Sequence, residues 1–157
     1  MTVEIRRAVP TDTDRIMDLL FQVEEVHRQG RPDMFREGGI KYTEPELIDI
    51  IKSDDTPVFV AVSGGDICGY VFGAVSEVKD SPMLLDMKTL HLEDVCVDEG
   101  CRGQGVGRLL VEYVSGWARE NGFDRLDLDV WEFNEGARRL YERLGFSTQK
   151  RRMDMWL

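Results

Sequence analysis

Histidine and cysteine are scarce in this 157-residue chain, with two of the first and three of the second. Cys68, Cys96 and Cys101 are odd in number, irregularly spaced and without a C-x-x-C pair. Such a set supplies neither a disulfide framework nor a zinc site, so no metal is expected and a reducing cytoplasm is the expected location. Cys68 and Cys96 fall in strand-like runs and read as small core residues. A covalent mechanism at Cys101 needs a base, and neither His27 nor His91 lies near it in sequence. No apolar run approaches the roughly 20 residues of a membrane span, and the opening MTVEIRRAVPTDTD carries no apolar leader. Positive charge is in deficit: 20 Lys and Arg against 30 Asp and Glu leave a net −10. This balance speaks against general nucleic-acid binding, which needs a basic face. The acidity promotes solubility and is compatible with a cationic substrate such as an amine.

The length fits one domain, and 42% apolar with 32% charged residues is the composition of a globular core with a solvated surface. Val3–Arg7 reads as a strand. Thr11, with Asp14 three positions on, reads as the cap of a helix carrying Ile16, Leu19, Leu20, Val23 and Val26, stopped by Gly30–Pro32. Thr43 and Glu46 form a second capping box ahead of Leu47, Ile48, Ile50 and Ile51. Val58–Val62 and Ile67–Val78 read as a hairpin about the turn at Ser63–Asp66. Thr89–Val97 is the next strand. Val106, Leu109, Leu110, Tyr113, Val114 and Trp117 recur at helical spacing up to the stop at Asn121-Gly122. Leu126–Val130 reads as a strand, Asn134 as the cap of a helix with Ala137, Leu140, Tyr141 and Leu144, and Phe146 onward as a last strand. The order β-α-α-β-β-β-α-β-α-β implies an α/β mixed sheet with helices on both faces.

The stretch Arg102-Gly103-Gln104-Gly105-Val106-Gly107 joins strand to helix. The first amides of a helix have no intrahelical partners, glycine lets a ligand approach the backbone, and the dipole adds positive charge there. Such a site suits a phosphate or pyrophosphate, with Arg102 and Arg108 at its edge. A P-loop would need Lys and Ser/Thr where Val106 and Gly107 stand. A dinucleotide fingerprint would need glycine where Arg108 stands, although Asp124 is suitably placed for a ribose. A glycine turn with no ligand is the remaining alternative.

Together, V-C-V-D followed by R-G-Q-G-V-G, and the downstream FNEGARRLYERLGF at 133–146, resemble the two motifs of the GCN5-related N-acetyltransferases (GNAT). The resemblance covers nearly the whole chain and is vaguest in the N-terminal third. It implies a single domain over 1–157, with an acetyl-CoA-binding core at about 88–146 and a mixed, mostly antiparallel sheet. It implies acetyl transfer from acetyl-CoA to a primary amine of a small molecule or peptide, by direct attack in a ternary complex. The partners are then acetyl-CoA and the amine, with no nucleic acid, no membrane and a homodimer left open. The pantetheine arm would lie between strands Leu90–Val97 and Leu126–Val130, along Val95, Cys96 and Val97. The pyrophosphate would sit on Gly103, Gln104, Gly105, Val106 and Gly107, flanked by Arg102 and Arg108, and Asn134 would reach the cofactor.

The strand before the loop carries a signal of its own. Leu90 and Leu92 share one parity, Val95 and Val97 the other, so a β-bulge near Glu93-Asp94 would reset the phase and free backbone N–H groups for a thioester oxygen. A central strand apolar on both faces would give the same pattern. A lysine-like amine costs about 4.6 kcal/mol to deprotonate at pH 7. Glu93, with Asp94 as alternative, is the candidate base, and Tyr141 the candidate acid for the departing thiolate. Core packing would also explain Tyr141, surface exposure the carboxylates, and capping alone Asn134. The acceptor pocket is expected from the N-terminal helices and the C-terminal strands, and within Glu24–Phe35 Glu24 and Glu25 would hold a cation or Arg28 and Arg31 a carboxylate. A non-catalytic CoA-binding regulatory module is the second reading, and a dinucleotide-binding protein the third.

Overall fold

The computed structural model describes residues 1–157. Five strands form one sheet in chain order: β1 (Glu4–Arg7), β2 (Val58–Ser63), β3 (Asp66–Val78), β4 (Met87–Val97) and β5 (Arg125–Leu128). The first three pairings are antiparallel and the last, β4 with β5, is parallel. Helices α1 (Thr13–Gly30) and α2 (Glu44–Lys52) separate β1 from β2, α3 (Val106–Glu120) crosses from β4 to β5, and α4 (Glu135–Arg143) follows β5.

The sheet separates two apolar layers. Ile16, Leu19 and Leu20 of α1 and Leu47 and Ile51 of α2 pack on Val58, Val60, Tyr70 and Phe72. On the other face, Val106, Leu110, Val114 and Ala118 of α3 pack on Phe59, Ala61, Val71, Leu90 and Leu92. Each fully buried aliphatic side chain contributes about 1.5–3 kcal/mol, and these two layers hold the sheet between the helices. The α3 stripe follows i, i+4, i+8 and i+12 from Val106. This turns Tyr113 outward, to 42% exposure, with its ring edge on Phe59 at 5.8 Å.

Local chemistry sets the helix starts. At α2 the box is complete: Glu46 N–H donates to Thr43 Oγ1 (3.4 Å) and Thr43 N–H to Glu46 Oε2 (2.7 Å). At α1 the expected Thr11 cap is replaced. Pro10–Asp12 forms a short 3-10 turn and the helix begins at Thr13. Asp12 stands at the N-cap position of α1 without capping it: its carboxylate accepts instead from Val9 N–H (2.9 Å), closing the 3-10 turn, and from both arms of Arg6 (2.8 and 3.0 Å). Charge-assisted hydrogen bonds to one carboxylate thus fix the turn that precedes the helix.

Two features of β4 shape everything downstream. Phe72 pairs with Asp94 and Gly73 with Leu92, so Glu93 is the extra residue of a bulge. The bulge resets the phase: Leu90, Leu92, Val95 and Val97 all reach the α3-side layer. Beside it, β5 pairs with β4 only from Thr89–Arg125 to Leu92–Leu128. Beyond that point the strands part, and Asp129 and Val130, expected in the strand, leave it.

The last expected strand is absent. Residues 147–157 are exposed and take no strand conformation. Ser147 to Arg152 is an unbroken polar run with no alternating face to bury, so the sheet gains nothing by adding it. The tail is tied instead to the loop after α1, where Arg31 pairs with Asp154 (2.6 Å) and Trp156 Nε1 donates to Asp33 (2.8 Å).

Candidate active site

The site begins where β4 runs into the glycine loop. Asp98 closes the strand: its Oδ1 accepts from Gly100 N–H (2.8 Å), and its Oδ2 is clasped by Arg15 and reached by Gln22 of α1. Burial alone would raise the Asp98 pKa, but the Gly100 and Arg15 hydrogen bonds outweigh it and hold the carboxyl below its ordinary range. The loop is thus anchored to α1. Gly103 (φ +75°) and Gly105 (φ +83°) are left-handed, with open space where a Cβ would stand. A residue with a side chain is strained at both, which explains these two glycines without appeal to a ligand. The first bond of α3 is Leu109 N–H to the Gly105 carbonyl (3.1 Å). The amides of Val106, Gly107 and Arg108 therefore lie ahead of the helical ladder, at its positive end. Arg102 donates back to the Val97 carbonyl (3.1 Å), which fixes its guanidinium at the same end. A Cβ on Gly107 would stand 3.2 Å from Leu140 and 3.5 Å from Val97, so this glycine lets α3, α4 and β4 converge.

Where β4 and β5 part, the strand edge from Glu93 to Val97 faces the gap. Cys96 turns its thiol away, toward the Leu19 carbonyl (3.6 Å), and burial pushes it up to about 12. Only its backbone borders the gap. A thiol so protonated is a poor nucleophile.

The two candidate carboxylates separate. Glu93, on the bulge, is exposed. Asp94 turns under α1, with a side chain only 9% exposed, and accepts a hydrogen bond from Tyr70 Oη (2.9 Å). Lys41 Nζ stands 3.8 Å away. Burial raises the Asp94 pKa, while Lys41 and the Tyr70 hydroxyl pull it partly back. Tyr141 is on α4, its ring edge on Phe146 at 5.7 Å. Burial first and the Asp94 charge second push its phenol up to about 12, so it is protonated at neutral pH. The Asp94 charge is thus felt at the Tyr141 phenol, while Asn134 caps α4, its Oδ1 accepting from Ala137 N–H (3.2 Å).

The far wall comes from the end of α1 and two loops. The His27, Phe35 and Trp131 rings stand 5.2 to 6.2 Å apart around one corner. A Cβ on Gly30 would meet the Phe133 ring at 2.3 Å, so glycine there lets the loop after β5 close on α1. His27 Nδ1 is buried without a hydrogen bond, its nearest carboxylate being Glu24 at 3.7 Å. Arg28 and Arg31 are committed elsewhere, to Glu25 (2.9 Å) and to Asp33 (2.9 Å) and Asp154. The arginines expected to hold an acceptor carboxylate are therefore already paired. Tyr70, Lys41, Tyr42, Trp131 and Phe133 had no place in the sequence-based site. Trp131 and Phe133 had a signal, two aromatics in the short loop between a strand and a helix cap. Tyr70 gives none, because a tyrosine in an apolar strand reads as core.

Known proteins match this architecture. The profile described as the acetyltransferase (GNAT) family matches residues 22–146. The chain is 32% identical to streptothricin acetyltransferase of Streptomyces lavendulae, over 93% of this chain and 82% of that one. It is 34% identical to mouse N-acetyltransferase 8F1 over 68% of its length, and there spans about half (48%) of the relative. A solved Bacillus halodurans protein superposes with a TM-score of 0.92 at 32% identity, covering 98% of this chain and 99% of that one. An aminoglycoside N-acetyltransferase solved with CoA shares the fold, with a TM-score of 0.72 at 18% identity. The chain belongs to the acetyltransferase (GNAT) family and is an acetyl-CoA-dependent N-acetyltransferase.

Proposed function

We propose that the protein acetylates a primary amine of a small polycationic molecule, by direct attack on acetyl-CoA in a ternary complex. The observation that carries this reading is Asp94: a buried carboxylate where β4 and β5 separate, facing the ammonium of Lys41 at 3.8 Å. The exposed Glu93 and the half-buried Glu24 add negative charge around it, as does the overall −10. The likeness to streptothricin acetyltransferase across 93% of the chain points to the same substrate chemistry.

The amides of Gly103 to Gly107 hold the pyrophosphate, with Arg102 and Arg108 beside it. The unpaired edge of Val95 to Val97 holds the pantetheine arm, and the bulge presents an amide to the thioester oxygen. Asp94, rather than the exposed Glu93, takes the proton of the acceptor ammonium, directly or through a water, offsetting part of the about 4.6 kcal/mol deprotonation cost of a lysine-like amine. The amine attacks, the C–S bond breaks, and Tyr141 protonates the thiolate. The test is acetyl-CoA with a panel of streptothricin, aminoglycosides, linear polyamines and lysine-containing peptides, read by thiol release and product mass. Acetylated polycationic small molecules, with initial-rate lines that intersect, are the expected result. Turnover of peptides alone overturns the substrate class, and parallel lines overturn direct attack.

A further inference from the structure

One of the chain's own amines stands beside the carboxylate proposed as the base. Lys41 lies between α1 and α2, in the Gly39–Tyr42 segment that walls a small pocket with Met17, Leu20, Phe21 and Glu24. Its ammonium reaches inward, 3.8 Å from Asp94 Oδ2 and 5.5 Å from the centre of the Tyr42 ring, and the side chain is only 29% exposed. A solvated surface lysine would extend away from the protein; this one spends its stem along the pocket to bring Nζ to the one buried carboxylate of the cleft. We infer that Lys41 is an internal acetyl acceptor, and that the enzyme acetylates its own Nζ when acetyl-CoA is bound and no external amine is present.

The inference rests on the proposed site, because it uses the same carboxylate and the same acid. Asp94 accepts one proton from the Lys41 ammonium. The neutral Nζ attacks the thioester carbon, forming the C–N bond as the C–S bond breaks. Tyr141 gives its proton to the leaving thiolate and regains one as the new amide nitrogen loses its surplus proton. Acetyl-CoA and the lysine ammonium thus become Nε-acetyl-lysine, CoA thiol and one proton released through Asp94. The product has no charge, so the ion pair with Asp94 is gone and that carboxylate is open to a substrate ammonium.

The full chain is incubated with acetyl-CoA alone and digested, and acetylation at each lysine is followed by mass spectrometry. Lys52, Lys79, Lys88 and Lys150 serve as internal controls. An amine held beside the thioester gains an effective molarity, so Lys41 should be modified at least about 10²-fold faster than the controls. Its rate constant should not change with protein concentration. Tyr141→Phe should slow Lys41 without slowing the others, and a saturating external amine should protect it. Uniform modification of all five lysines, or a Lys41 rate that rises with protein concentration, overturns the inference. So does an unmodified Lys41 in a preparation that turns over an external amine, a result that leaves the proposed function standing. An unmodified Lys41 with no turnover of any amine overturns both.

Discussion

Glu93 and Asp94 are adjacent and chemically alike, yet one faces water and the other is buried against Tyr70. The bulge makes the difference, because the extra residue at Glu93 turns Asp94 under α1. Asp94 carries the larger catalytic expectation. Its raised pKa keeps it protonated to a higher pH than an ordinary aspartate, so the acid limb of kcat/KM should lie above the usual carboxylate range. Above that limb the base is charged and competent. Asp94→Asn should lower kcat by about 10²–10⁴ near neutral pH. The deficit should shrink as pH approaches the amine's own pKa, where free amine needs no base. Glu93→Gln should instead raise acceptor KM with kcat nearly intact. A pH–rate profile of wild type and both variants with one identified amine checks this; a neutral-pH loss in Glu93→Gln alone would return the role to Glu93. Tyr141→Phe keeps the ring against Phe146 and removes only the hydroxyl. Turnover should fall by a similar factor with CoA affinity unchanged, measured at saturating acetyl-CoA.

At the scale of the element, the strand–loop–helix unit from β4 to α3 was largely legible. Alternating glycines at a helix start imply free amides and left-handed residues, and Gly103 and Gly105 are left-handed. The parity break between Leu92 and Val95 offered a bulge or a strand apolar on both faces, and the register shift that makes Glu93 an extra residue decides for the bulge. The start of α1 was not legible. Thr11 and Asp14 have capping spacing, but Thr11 lies inside a 3-10 turn whose Asp12 is held by Arg6, an element away. Gly105→Val tests the loop. The substitution forces a β-branched residue to φ +83° and adds bulk where the pyrophosphate approaches, while the α3 stripe from Val106 to Ala118 remains intact. CoA affinity should fall by at least about tenfold, the loss that 1.4 kcal/mol produces, with the far-UV spectrum preserved. Unchanged CoA affinity in the folded variant, by calorimetry, would remove the loop from the phosphate site.

For the whole molecule, the cleft is an opening between two halves of one sheet. Its walls are joined below by the four β4–β5 pairs from Thr89 to Leu92 and lined above by α3 and α4. A ligand bridging both walls should stabilise the entire fold. Acetyl-CoA at 100 times its Kd should add about 2.7 kcal/mol, seen as a rise in Tm, and ATP or NADH at equal concentration much less. A larger shift with NADH would contradict the CoA assignment.

The sequence by itself determined the elements from β1 to α4, their order and the glycine loop, and it offered the bulge as one of two readings of β4. These depend on neighbours a few residues apart, where periodicity, capping and φ preferences operate. Only the tertiary structure decided which carboxylate is buried, that Arg28 and Arg31 are already paired, and that Lys41 reaches Asp94 from 53 positions away. It also decided that the C-terminal tail ties to Arg31 and Asp33 instead of adding a strand. Burial and ion pairing are set by whatever the fold brings alongside, and local sequence carries no record of a neighbour so distant in the chain.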